Sequence, residues 1–180
     1  YMGPALLAMM LTEGKNISGS VDGDWAIIRK QFDMCWNRLW DDEKKLLYHA
    51  FSADPSSNQT SIWADQEGTY ATNPHYGVSE EFWGRAAGWY ILAIVDVLEA
   101  MEQSGKKGDA HFQLMQSYLT KLADGLVARQ DAESGCWYQL LQYDNTKCAT
   151  QGVDATGSSK YTNVQEGGTQ CNYLESSASC

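Results

Sequence analysis

The 180-residue chain carries 13 Lys plus Arg against 23 Asp plus Glu, a formal charge of -10 with no basic run, which argues against nucleic acid and anionic membrane as partners. A chain of this length is ordinarily one domain that buries roughly 70% of its unfolded surface, and no apolar run is long enough to span a bilayer. Any acidic substrate must be held by local positive groups.

In chain order, residues 1–12 read as the end of a helix, stopped by Gly14 and the polar turn at 15–23. The chain opens inside an apolar helical pattern with no start signal, so an upstream portion is expected. No signal peptide is read there, which leaves the compartment open between cytoplasm, periplasm and secretion. Asp22 or Asp24 caps a second helix over 25–40, whose stripe is Trp25, Ile28, Phe32, Cys35, Trp36 and Leu39. Within it Cys35 reads as a small buried hydrophobe. After a charged turn at 41–45, LLYHAF (46–51) is short and apolar enough for a strand or an extended excursion. Residues 52–79 form a long Gly-, Asn-, Pro- and Ser-containing loop with scattered aromatics, of the kind that is more often functional or disordered than idle.

The stretch 81–100 reads as a third helix, capped by Ser79, with Glu80 and Glu81 at its positive end and an apolar surface almost all round from Trp89 onward. Its first turns carry Trp83, Arg85 and Trp89. Arg85 and Trp89 are four apart and share a face, so a guanidinium stands beside aromatic planes, a combination suited to a small, flat, anionic ligand. The competing reading is an Arg paired with Glu80 or Glu81 beside two core tryptophans. Gly105 to Gly108 ends this helix, and Asp109 caps a fourth that runs to about Arg129 on the stripe Phe112, Met115, Leu119, Leu122, Ala123 and Leu126. A turn at Ser134-Gly135 precedes a short extended piece, residues 144–170 read as a surface insertion, and NYLESSASC at the end reads as the start of another helix.

Helix pairs joined by short turns, then by longer aromatic-bearing excursions, predict an all-α fold built from helical hairpins. The whole of 1–180 is expected to be one partial domain, incomplete at both ends. Five cysteines include no CxxC pair, and His49, His75 and His111 have no zinc-like spacing, so no metal and no cofactor is expected. Cys148 and Cys171 flank a polar segment that a disulfide could close in an oxidising compartment, a bond worth about 3 kcal/mol.

Four motifs in order, LLYHAF (46–51), FWGRAAGWY (82–90), QDAESGCWYQLL (130–141) and NYLESSAS (172–179), resemble the unsaturated rhamnogalacturonyl hydrolases and their relatives, the unsaturated glucuronyl hydrolases. FWGRAAGW is the most specific of them. The resemblance implies an (α/α)6 toroid, of which this chain supplies about half. It implies a glycoside hydrolase that releases a 4,5-unsaturated uronic acid from the non-reducing end of pectin (rhamnogalacturonan) lyase products. The reaction starts when an aspartic acid protonates the enol ether; water adds at C5 and the hemiketal opens.

By the same resemblance Arg85 holds the substrate carboxylate or a ring oxygen, and Trp83 and Trp89 stack on sugar faces. His49 donates to a substrate oxygen or helps place the water. The proton-donor aspartate falls before Tyr1, so the 180 residues alone are expected to be inactive. Where many relatives carry Gly-Asn before the second Trp, this chain has Ala87-Gly88. The alternative readings are a non-catalytic carbohydrate-binding helical toroid and, on weaker grounds, a protein-binding helical scaffold.

Overall fold

A computed structural model describes residues 2–132 and 134–142 and the strand segments Cys148–Val153, Ser159–Thr162, Gln170–Cys171 and Leu174–Glu175. Among the described residues four helices dominate: α1 (Met2–Thr12), α2 (Val21–Leu39), α3 (Gly84–Gln103) and α4 (Ala110–Val127). Seven short strands accompany them, β1 (Trp40–Asp41), β2 (Leu46–Leu47), β3 (Trp137–Tyr138) and, in the strand segments just given, β4 to β7. The chain divides into two compact units, Tyr1–Leu47 with Ala87–Ala128, and Tyr48–Ala86 with Arg129–Cys180.

The first unit packs α1 on α2 and α2 on α4. Along α2 the buried apolar residues are Trp25, Ile28, Phe32 and Trp36, at steps of three and four, a stripe narrow enough to leave Cys35 exposed and Leu39 only half-buried. Cys35 is therefore not a core residue: it sits one position off the stripe, rotated about 100° from Trp36. The helix also starts earlier than expected. Ser20 is its N-cap, accepting from Gly23 N, while Asp24 is fully buried and accepts from Ile17 N at 2.7 Å and Ser18 N at 3.0 Å. The Ile17 amide, then the Ser18 side chain and amide, hold the Asp24 carboxyl below the ordinary carboxylate range against its burial.

Trp36 is stacked between Trp40 and Tyr118, with centroids 4.2 and 4.3 Å away. The Tyr118 hydroxyl donates to Asp33 at 3.0 Å, and Arg29 bridges the same carboxylate at 3.0 Å. Burial and that carboxylate push Tyr118 up to about 12. Tyr118 takes the buried place expected of Leu119 on α4. Asp109 caps α4 as its sequence suggests, accepting from His111 N. The β1-β2 hairpin pairs Trp40 with Leu47 and Asp41 with Leu46, and buries both leucines.

From Ala87 onward α3 buries Ile94, Val97 and Met101 completely but leaves Trp89, Leu92 and Val95 between 40% and 48% exposed, so it is not covered on every side as its composition suggests.

The second unit is built on loops. Residues 52–79 form an ordered excursion tied at its base: Ser52 N donates to Gly77 O at 2.7 Å, and Phe51 bridges Val78. Gly77 has φ 83°, in the region that favours glycine, and an added Cβ would drive into the Ser52 carbonyl. Asp131 organises the 131–136 turn by accepting from Ser134 N at 2.8 Å. Strand β3 pairs with β7, so residues 174–175 are strand where a helix start was expected. Strands β5, β4 and β6 form a three-stranded sheet whose register sets Cys148 opposite Cys171. The rest of the expected insertion at 144–170 lies outside the described residues. No helix among the described residues is long and apolar enough to cross a membrane.

Candidate functional site

The motif residues are positioned by an extended entry into α3. The helix begins at Gly84, not at Ser79, because residues 81–84 are drawn out against 139–142. Leu141 N donates to Phe82 O at 2.9 Å, Gly84 N donates to Gln139 O at 2.9 Å, and Trp83 bridges Leu140. Gln142 completes the strut with both ends of its amide. Its Oε1 accepts from Phe82 N at 3.1 Å, and its Nε2 donates to the Glu81 carboxyl. Backbone amides that would otherwise seed the first helical turn are used here as strand partners.

Within this unit three of the four motif residues come together. His49 meets the Trp83 ring edge-on, with centroids 6.2 Å apart at 82°, and the Arg85 guanidinium carbon lies 5.3 Å from the Trp83 ring centroid. That distance is inside the range of a cation–π contact, so the indole restrains the guanidinium without consuming its in-plane donors. In the same unit Tyr48 stacks on the buried Phe82 at 4.2 Å and receives His75 edge-on at 5.4 Å. The fourth residue, Trp89, belongs to the first unit, where its side chain is 48% exposed.

His49 is held from one side. Its Nδ1 lies 2.9 Å from Glu81 O and 3.0 Å from Ser79 Oγ. Ser79 is buried and makes two further bonds to the residue after the histidine: Ser79 Oγ accepts from Ala50 N at 3.2 Å, and Ser79 N donates to Ala50 O at 3.0 Å. Ser79 was expected as a helix cap. It is instead a clasp on the His49-Ala50 dipeptide, because the helix it would cap starts five residues later. No spacing rule reveals this, since the partners are 30 residues apart. Gln142 escapes sequence reading for the same reason, 60 residues from Phe82.

Glu81 reads in the sequence as a favourable charge at a helix start or as a partner of Arg85. Burial, followed by repulsion from Glu80, raises its carboxyl to about 7. The Gln142 amide favours the anion but does not offset the lost hydration. A raised carboxyl pKa stabilises the fold fully below the unfolded value near 4.5, and the contribution is lost as pH climbs through 7. Glu81→Gln should therefore gain on the parent between pH 5 and pH 8, by about 1 kcal/mol after allowance for solvent screening. Chemical denaturation at the two pH values checks this, and a pH-independent difference would refute it.

Among the described residues no group of three or more His, Cys, Asp or Glu is arranged to hold a metal ion. The site as built brings a cation, an indole face and an imidazole together.

Comparison with known proteins gives concordant results. The model of the family described as Glycosyl Hydrolase Family 88 matches residues 2–175. Protein Atu3128 of Agrobacterium fabrum (strain C58 / ATCC 33970) is 30% identical over 108 residues, which cover 60% of this chain and 39% of that protein. The 24.9 kDa protein in picA locus of Rhizobium radiobacter matches with the same identity and coverage. A solved glycoside hydrolase from family 105 of C. acetobutylicum ATCC 824 superposes with a TM-score of 0.62 at 29% identity, over 78% of this chain and 33% of that one. The chain thus spans well under half the length of these relatives. The fold is that of part of an α/α toroid, as the helical hairpins and the motifs suggested.

Proposed function

This chain belongs to Glycosyl Hydrolase Family 88, and from that premise we propose that it serves a glycoside hydrolase acting on oligosaccharides that end in a 4,5-unsaturated uronic acid. The substrate class is the product of a rhamnogalacturonan or related polysaccharide lyase. One observation carries the reading: the Arg85 guanidinium stacked at 5.3 Å on Trp83, with His49 against the same indole. Such a group suits a pyranose carrying a carboxylate. The guanidinium forks onto the carboxylate, the indole lies along the apolar face of the ring, and the imidazole reaches an oxygen or a water. Trp89 keeps the sugar-stacking role that the motif suggests.

The chemistry proposed is hydration of the enol ether, not direct cleavage between two carboxylates. A carboxylic acid protonates C4, water adds at C5, and the hemiketal collapses with loss of the aglycone. The residues named here bind and orient; the proton donor is not among them. Incubating the protein, extended to the length of its relatives, with lyase digests should remove the ultraviolet absorbance of the conjugated uronate. Unchanged absorbance across rhamnogalacturonan, glucuronan and other lyase digests would refute the hydrolase reading. Tight binding without turnover would favour a carbohydrate-binding toroid.

A further inference from the structure

The contacts on His49 decide which of its nitrogens can work. A carbonyl oxygen only accepts, so the 2.9 Å approach of Nδ1 to Glu81 O requires the proton to sit on Nδ1. Ser79 Oγ already accepts from Ala50 N and lies 3.0 Å from the same nitrogen. Its remaining lone pair can share the Nδ1 proton. The opposite tautomer would bring the Nδ1 lone pair against the Glu81 carbonyl. Turning the ring over would break both Nδ1 contacts, and the bonds from Ser79 to the N–H and C=O of residue 50 keep the hydroxyl in place beside it.

We propose that Ser79 is a positioning residue for the reaction: its hydroxyl, together with the Glu81 carbonyl, locks His49 in the Nδ1–H tautomer and leaves the Nε2 edge to meet substrate. A neutral imidazole locked in this way presents a lone pair at Nε2. It accepts a proton or a hydrogen bond from a water or a sugar hydroxyl. In the neutral ring the lock therefore suits His49 to placing the attacking water, the second of the two roles open to it, and not to donating to a substrate oxygen. The catalytic part of this inference rests on the hydrolase reading above; the lock itself does not.

The test separates the two. Long-range proton–nitrogen spectra of histidine-15N-labelled protein, with His49 assigned from its loss in His49→Gln, should show a protonated-type Nδ1 and an unprotonated-type Nε2 in the neutral ring. Ser79→Ala should shift this ring toward a mixture of tautomers. In the protein extended to the length of its relatives it should also lower kcat by about tenfold, less than the roughly hundredfold cost of misplacing a reacting group by about 1 Å, with KM changed less than about threefold. In a His49→Gln background the same substitution should lower kcat by less than about twofold, because the residue it acts through is gone. A neutral wild-type ring with its proton on Nε2 would overturn the proposal, as would equal losses in the two backgrounds. If Ser79→Ala does not fold, Ser79→Cys fills the same space with a weak hydrogen-bonding group and should give the same spectral shift. A wild-type protein, extended to the length of its relatives, that turns over no unsaturated uronide, yet shows the Nδ1–H signature, would overturn the hydrolase reading and uphold the lock.

Discussion

Gly125→Ala is expected to destabilise the protein by about 3 kcal/mol or more, the upper end of the overpacking range, because the site cannot relax. Gly125 lies buried on α4, where the turn between β1 and β2 presses on the helix. A Cβ at this position would overlap the Lys45 carbonyl oxygen, and would stand 2.9 Å from the carbonyl carbon and 3.2 Å from Lys45 Cβ. The obstacle is backbone, not the end of a flexible chain. That backbone is itself committed: Lys45 has φ 56°, its N–H donates to Asp41 O at 2.8 Å, and Asp41 Oδ1 accepts from Glu43 N and Lys44 N. Moving it would break the turn that aligns Leu46 and Leu47 with the core.

The gain in helix propensity from Gly to Ala, about 1 kcal/mol, is too small to compensate. Gly108→Ala is the matched control, because a Cβ there meets nothing within 4 Å and the residue is not at positive φ. Thermal unfolding should show the Gly125→Ala midpoint lower by about 10 °C and the Gly108→Ala midpoint nearly unchanged. Equal midpoints for the two variants would mean that the turn yields.

How far this molecule can be read from its residues depends on the distance over which each feature is determined. The α4 cap and stripe are local. Asp109 accepts from an amide two residues away, and Phe112, Met115, Leu122 and Leu126 repeat at helical spacing, so both are legible. The start of α2 is nearly so. Aspartates at 22 and 24 mark the first turn, but Ser20 wins the cap because Asp24 folds back onto the amides of Ile17 and Ser18.

The start of α3 is not legible. Residues 79–83 have the composition of a capped helix, yet pairing with residues 139–142 and with Ala50 outweighs local propensity, which amounts to a few tenths of a kcal/mol per residue. The site follows the same division. Trp83 and Arg85 stand out in FWGRAAGW, whereas the Ser79 clasp and the Gln142 strut exist only through contacts of 30 and 60 residues in sequence separation. Cys35 was misassigned for a different reason. A helical stripe three to four residues wide has edges, and a small residue at the edge can face either way.

Arg85→Ala should weaken binding of an unsaturated uronate by about 10- to 150-fold, the equivalent of one charge-assisted interaction of roughly 1.5–3 kcal/mol. Binding of the matching neutral sugar should change by less than about threefold. The asymmetry follows from what the side chain does. Its charge is delocalised in a plane that the Trp83 ring restrains at 5.3 Å, so little rotamer freedom is left to lose when a carboxylate arrives. Arg85→Lys keeps the charge but not the planar fork, and should recover only part of the affinity.

Raising the ionic strength gives an independent check, because a partly exposed ion pair is screened by salt while stacking on an indole is not. Added salt should weaken uronate binding to the parent protein and leave the weak binding to Arg85→Ala almost unaffected. Calorimetric titration with a saturated and an unsaturated uronate and their neutral methyl esters reads all of these differences in one experiment. If acid and ester lose affinity equally in Arg85→Ala, the guanidinium acts by holding Trp83 in place and some other group recognises the anion.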